Sequence, residues 1–311
     1  VDTIQIVEEQ DPVPESGQVC VSIHRAGVNF ADLMMRQGLY GSSPDFPFTP
    51  GYEAAGVVIG LGEGVDSLKE GDRVLAMTGF GGYSEKVCLD ARRVVPIPDS
   101  VSFDQAAAIP VTYGTAFHML VHLGRISKGD TVLIHHAAGG VGTAVSQICE
   151  VFGASLVVGT ASTSKKDFVE SMGMRFVDRE KEDFVEVCNK MTGGRGVHHA
   201  IDPVGGNHLL RSYKSLRKGG KLYYFGASAV VKGQKRSRLS ELRMWLGMPR
   251  FDPLRLMNSN KAVFGVHMGL LEDDSIFKEH LASLSGMLQE GKINPVIDSV
   301  WRFEKVADAQ M

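Results

Sequence analysis

The stretch "HHAAGGVGTA", His135 to Ala144, follows an apolar run, "DTVLI", and precedes residues with helical periodicity. A turn that holds a dinucleotide must be tight. It must let backbone approach the pyrophosphate with no Cβ in the way, and it must aim the first N–H groups of the next helix at phosphate. Gly139 can give the close approach and Gly142 the close helix–strand packing, with Ala138, Gly140 and Val141 completing the loop. Ala137 stands where the fingerprint G-x-G-x-x-G has its first glycine, which is tolerable if its φ stays negative. The competing reading is a purely structural glycine turn.

The end of the next strand selects the nucleotide. An NAD site usually places Asp or Glu there, on the ribose 2′-hydroxyl. Here the strand ends "VVGTASTSKKD", with Thr160 and Ser162 in that region and Lys165 and Lys166 just beyond. Small hydroxyls and paired cations suit a 2′-phosphate, so NADPH is the expected cofactor; otherwise the lysines merely decorate an exposed helix start.

Elements that position such a turn are legible on both sides of it. Up to about residue 110, "GQVCVSIHRAGV", "AAGVVIGLG", "GDRVLAM" and "YSEKVCLDARRVVPIP" read as short strands of a barrel-like or Greek-key unit. "SFDQAAAIPVTYGTAFHMLVHLG" is helix-forming, interrupted by Pro110. Strands and helices then alternate, as a doubly wound parallel sheet requires. "DTVLIHHA", "ASLVVGTA", "RFVD", "GVHHAIDPVGG" and "GKLYYFGAS" read as strands, with a helix running through Leu216 before the last. "AVFGVHMG", a helix through Leu288 and "INPVIDSVWRF" complete a strand–helix–strand ending. Residues 1–110 and 259–311 are therefore expected to form one domain and 111–258 the other, with the active site in the cleft between.

The 311 residues, 43% of them hydrophobic and 22% charged, suit two domains of a globular protein. A formal net charge of −3 gives no electrostatic case for nucleic acid. No apolar run spans a membrane and no signal pattern is present, so a cytoplasmic location is expected. Cys20, Cys88, Cys149 and Cys188 form no C-x-x-C and read as free thiols. The chain opens on Val1 and stops at "FEKVADAQM", so residues are expected to be missing at both ends.

The motifs "GVNFADLMMRQGLY", "TPGYEAAGVV", "GDRV", "AAAIPVTYGTA", "HHAAGGVG", "DPVGG" and "LRKGGKLYYFGAS" run nearly end to end. Through them the chain resembles the zinc-independent quinone oxidoreductases of the medium-chain dehydrogenase/reductase superfamily. "FGVHMGLL" and "IDSVWRFEKVADA" narrow the resemblance to the branch of vesicle amine transport protein 1 homologues.

The resemblance implies a GroES-like catalytic domain and a Rossmann domain, together α/β, and a homodimer. It implies that Asn29 to Tyr40 line the nicotinamide pocket. Tyr40 is the candidate hydrogen-bond donor or proton source; Asn29 and Asp32 form the pocket, and Asn29 also touches cofactor. The competing reading makes Asp32 and Arg36 a structural pair and Tyr40 ordinary packing. Bacterial relatives have a tyrosine where this chain has Met34, so their pocket does not transfer whole. Thr112 and Thr115 are expected under the nicotinamide, with Gly226, Phe264 and Val266 passing close to it. Arg179 is the candidate substitute for the family's adenine-side tyrosine.

Zinc members of the superfamily ligate metal with Cys, His and Cys. The matching positions are Asn29, Tyr52 and about Ala107, and the four-cysteine structural-zinc loop is absent from the sequence. No metal is therefore expected. The resulting expectation is NADPH-dependent hydride transfer to a small-molecule quinone or activated enone. The alternatives are an enoyl-thioester reductase, or a non-catalytic NADPH-binding protein associated with membrane or lipid.

Three further signals lead elsewhere. "GMLQEGKI" from Gly286 resembles a phosphate-binding loop but has Ile293 where Ser or Thr is needed. His135–His136 and His198–His199 sit as strand neighbours facing opposite ways, so they read as satisfied polar residues and not chelators. Lys232 to Arg255 carries seven Lys/Arg against two acids, with Leu239, Leu242, Trp245 and Leu246 on one helical face. That segment suits an active-site cover, a subunit contact, anionic lipid, an acidic substrate tail or a solvated hairpin; any membrane association it gives is weak.

Overall fold

A computed structural model describes residues 4–40, 43–226, 228 and 247–310. The expected amphipathic face of Leu239 to Leu246 lies outside the described residues, as does most of the basic segment. The chain divides into two compact units, residues 1–115 with 269–311, and residues 116–268.

In the first unit five strands, β1 (Gln18–Ala26), β2 (Glu53–Leu61), β3 (Arg73–Met77), β4 (Lys86–Asp90) and β5 (Val94–Pro96), pair antiparallel in the order β4-β1-β2-β3-β5. Alternating valines fill the core: Val19 and Val21 of β1 pack with Val58, Val74, Leu89 and Val94. Pro110 falls in a π-helical turn, Ile109–Tyr113, as expected of a residue that cannot donate to a helical ladder.

Antiparallel pairing also sets Cys20 opposite Cys88, with Cα atoms 4.1 Å apart, and the two form a disulfide. The reading of four free thiols is thus corrected for this pair, which a separation of 68 residues hides in the sequence. Cys149 and Cys188 are free and buried.

The second unit holds β6 (Thr131–His135), β7 (Leu156–Ala161), β8 (Arg175–Asp178), β9 (Val197–Asp202), β10 (Leu216–Tyr224) and β11 (Ala262–Gly265). All neighbours are parallel, in the order β11-β10-β9-β6-β7-β8. Strand order therefore reverses between β6 and β9, the switch point beside which such sheets bind ligands at their carboxyl ends. Leu133, Val158, Ala200 and Leu222 form the buried sheet face, packed with Phe184 and Leu209 of the helices Phe184–Met191 and His208–Lys214.

Several boundaries differ from the sequence reading. The first unit resumes at Gly269 and not at 259, because Ala262–Gly265 joins the parallel sheet. It extends to Thr115 and not 110, because the Val111 N–H is bonded to Glu53 of β2. The helix Phe184–Met191 went unread, and β10 starts already at Leu216. "INPVIDSVWRF" forms no strand among the described residues: it has no ladder partner, and Val300 and Trp301 are half-exposed. "GMLQEGKI" begins within the helix Asp274–Gln289. No described helix is long and apolar enough to cross a membrane.

Candidate functional site

The carboxyl edge of the parallel sheet gathers one set of expected residues. Ala138 to Gly142 follow β6, Thr160 ends β7 with Ser162, Lys165 and Lys166 beyond it, and Arg179 follows β8. Gly226 follows β10, while Phe264 and Val266 lie at the end of β11. The helix Gly140–Val151 has Gly139 as its N-cap and no side-chain cap. Its first N–H groups thus have no side-chain acceptor, and the positive end of the helix dipole lies behind them.

Why this turn works without its first glycine is a matter of volume. Ala137 is fully buried, and the left-handed backbone falls one residue earlier, on His136 at φ 56°. A Cβ on Gly142 would sit 2.4 Å from the Ala137 carbonyl oxygen, so the helix can lie this close to the strand only with glycine there. A Cβ on Gly159 of β7 would sit 2.7 Å from the Ala137 methyl. The neighbouring strand thus supplies the room that the turn's own residue takes up.

Behind the turn a buried chain of hydrogen bonds links the strand ends. Thr160 Oγ1 meets His135 Nδ1 at 2.9 Å, and His135 Nε2 meets Ser212 Oγ at 3.0 Å. Ser212 donates to Asp202 Oδ2 at 2.6 Å, and His208 Nδ1 lies 2.8 Å from the same oxygen. Burial pulls His135 down to about 3, so its ring is neutral. Burial pushes Asp202 the other way, but the hydrogen bonds from His208 and Ser212 outweigh it and hold the carboxyl at about 2. His135, Asp202 and His208 each offer a ligand atom within 4.8 Å of the others. With Ser212 bonded to both His135 and Asp202, these atoms serve the network. Thr160 spends its hydroxyl there too, which leaves Ser162 and the exposed Lys165 and Lys166 facing solvent.

His198 and His199 are satisfied polar residues as expected: both rings reach Asp130, at 3.4 and 3.2 Å, and His199 Nδ1 also meets Tyr223 Oη at 3.0 Å. Asp130, immediately before β6, is reached from both sides.

A second set lies in the first unit. The helix Phe30–Arg36 is entered through a capping box between Asn29 and Asp32. Asp32 is fully buried and accepts from Asn29 N at 2.8 Å, Tyr83 Oη at 2.9 Å and Gly51 N at 3.3 Å. These bonds stand in place of the Asp32–Arg36 pair of the competing reading. Burial raises its carboxyl to about 6 against the pull of the three donors.

Asn29 Nδ2 donates to Glu53 Oε1 at 2.7 Å, and Val111 N donates to Glu53 Oε2 at 2.7 Å. Glu53 therefore joins Asn29 to the segment that carries Thr112 and Thr115. Burial pushes its carboxyl up to about 8, its two donors notwithstanding. Tyr40 packs edge-on against Tyr52 with ring centroids 6.0 Å apart, and burial raises its phenol well above the ordinary value. Thr112 Oγ1 donates to Ala108 O at 2.7 Å, and Thr115 is buried. Sequence reasoning missed Glu53 and Tyr83. For Glu53 the signal was an acid flanked by the apolar "PGY" and "AAGVV"; for Tyr83 there was none.

At the three positions where zinc members have ligands, the donors do not suit the metal. Asn29 offers an amide already spent on Glu53, Tyr52 a ring packed on Tyr40 and Phe80, and Ala107 a buried methyl.

A five-stranded antiparallel unit and a 3-2-1-4-5-6 parallel sheet with a glycine turn at its switch point define a nucleotide-dependent oxidoreductase fold. Residues 15–99 match the alcohol dehydrogenase GroES-like domain, and residues 140–285 the zinc-binding dehydrogenase family. The chain is 39% identical over 300 residues to human "Synaptic vesicle membrane protein VAT-1 homolog", covering 96% of this chain and 76% of that protein. Among solved structures it resembles a quinone oxidoreductase of Pseudomonas syringae pv. Tomato, with a TM-score of 0.82, 29% identity and coverage of 98% and 90%. It also resembles the CurK enoyl reductase, with a TM-score of 0.83, 26% identity and coverage of 99% and 91%. The chain belongs to the medium-chain dehydrogenase/reductase superfamily, whose members work with a nicotinamide cofactor.

Proposed function

We propose that the protein is an NADPH-dependent, zinc-free reductase of quinones or activated enones. The single observation that carries this reading is the set Asn29, Tyr52 and Ala107 where zinc ligands would stand, beside a half-buried, protonated phenol, Tyr40. Bound nicotinamide supplies the hydride. Gly139, Gly140, Val141 and Gly142 bind the pyrophosphate through backbone N–H groups, and Ser162, Lys165, Lys166 and Arg179 take the adenosine 2′-phosphate side. Asn29 and Asp32 shape the reaction pocket. Tyr40 holds its proton at every working pH and donates to the oxygen on which negative charge develops.

The likeness to an enoyl reductase favours a second reading, in which the same pocket reduces an enoyl thioester. A vesicle-membrane relative motivates a third, a non-catalytic NADPH-binding role at membranes. NADPH oxidation assays with 9,10-phenanthrenequinone, 1,4-naphthoquinone and crotonyl-CoA separate the three. Turnover of the quinones supports the first reading and turnover of crotonyl-CoA alone the second. No turnover with any substrate, together with liposome binding, overturns both enzyme readings.

A further inference from the structure

The amino edge of the parallel sheet, opposite the glycine turn, carries a recess of its own. It has a volume of about 460 Å³ and is lined by Arg195, Arg217, His198, Thr131, Ser155 and Thr192, with flanking glycines and two apolar side chains. Thr131 opens β6, Ser155 precedes β7, His198 is the second residue of β9 and Arg217 the second of β10. The glycine turn follows the other end of β6, about 13 Å away at four residue steps along the strand. The recess is therefore separate from the dinucleotide site.

Its charge is one-sided. Two guanidinium groups line it and no carboxylate does. Among the described residues neither Arg195 nor Arg217 forms an ion pair with an acid. Arg195 spends Nε on the Thr192 carbonyl, and Arg217 spends Nε on the Lys218 carbonyl while its Nη1 lies against His198 Nε2. Their other N–H donors remain for a ligand. Asp130, outside the lining, accepts from Ser127 N at 2.9 Å while meeting both histidines. Burial holds the His198 imidazole below its ordinary pKa; Asp130 opposes this, and the cations Arg217 and Arg195 reinforce it. The recess is thus lined by two cations and by no acid.

Two guanidinium groups without an ion-pair partner, one from the loop before β9 and one from β10, suit a tetrahedral dianion better than a single carboxylate. The volume exceeds a bare phosphate and falls in the range of small-molecule sites. We propose that this recess binds the phosphate group of a small phosphorylated molecule, independently of the nicotinamide cofactor.

Calorimetric titration of the whole chain with inorganic phosphate, glycerol 3-phosphate and acetate tests this. Both phosphates should bind at least tenfold more tightly than acetate. Arg195→Gln, at an exposed position that tolerates exchange, should weaken phosphate at least tenfold, as should Arg217→Gln. Lys165→Ala with Lys166→Ala should leave it within twofold. The proposal is overturned if phosphate binds no better than acetate, if Arg195→Gln changes nothing, or if the lysine pair abolishes binding instead. Should Arg217→Gln fail to fold, Arg195→Gln alone decides.

Discussion

The Asn29 side-chain amide donates to the Glu53 carboxylate at 2.7 Å, and both residues are buried. In a zinc-binding relative a metal thiolate would occupy the place of that amide. Here the acid is held by an amide on one oxygen and a backbone N–H on the other, with no cation paired to it among the described residues. Its carboxyl rises to about 8 as a result of burial.

This sets a pH dependence of stability. A carboxyl whose folded pKa lies above its unfolded value favours the fold fully below about 4.5, and the favour is lost as pH rises through 8. Asp32 acts the same way only up to about 6, and buried His135 acts in the opposite sense only below its ordinary 6.5. Between pH 6.5 and 8, stability should therefore fall by up to about 1.4 kcal/mol per pH unit from one proton. Urea unfolding across that window should show the slope in the native protein and a flat profile in Glu53→Gln. An equal slope in both proteins would show that Glu53 is not its source.

Tyr40→Phe should lower kcat by about tenfold to a hundredfold with little change in KM for cofactor, the signature of a lost transition-state donor. Steady-state kinetics with 9,10-phenanthrenequinone read both constants. A rise in cofactor KM at constant kcat would assign Tyr40 to binding.

For the nucleotide preference, Lys165→Ala with Lys166→Ala should raise the Kd for NADPH on the order of tenfold, since bonds to charged groups contribute about 1.5–3 kcal/mol. The Kd for NADH should stay put. Fluorescence titration with both nucleotides checks this, and equal binding of NADH and NADPH by the native protein would refute the preference outright.

Gly142→Ala places a methyl 2.4 Å from the Ala137 carbonyl oxygen. The helix must shift outward, at a cost of about 1–3 kcal/mol in stability. Cofactor affinity should fall with it, because the displaced N–H groups miss the pyrophosphate. Thermal melts with and without NADPH read the two effects separately.

Much of this was legible beforehand because it is written in local pattern. The valine alternation of β1 and the apolar run of β6 announce strands, and glycines between β6 and a helix announce the turn. What escaped depends on long-range pairing. Cys20 meets Cys88, and Asp32 meets Tyr83 in place of the helical neighbour Arg36, only because strands and loops distant in sequence are brought together. Glu53 looked like an ordinary strand end, since its partners lie 24 and 58 residues away. "INPVIDSVWRF" has the composition of a strand but no ladder partner among the described residues, and composition cannot reveal that.

The contact between Ala137 and Gly159 bears on how such a turn changes over time. One methyl's worth of space is shared by two strands, and either could hold the group, but not both at once. A substitution in the turn is therefore permitted or forbidden by a residue 22 positions away. Searches that require the fingerprint's first glycine in the turn itself will overlook proteins in which the glycine stands in the neighbouring strand.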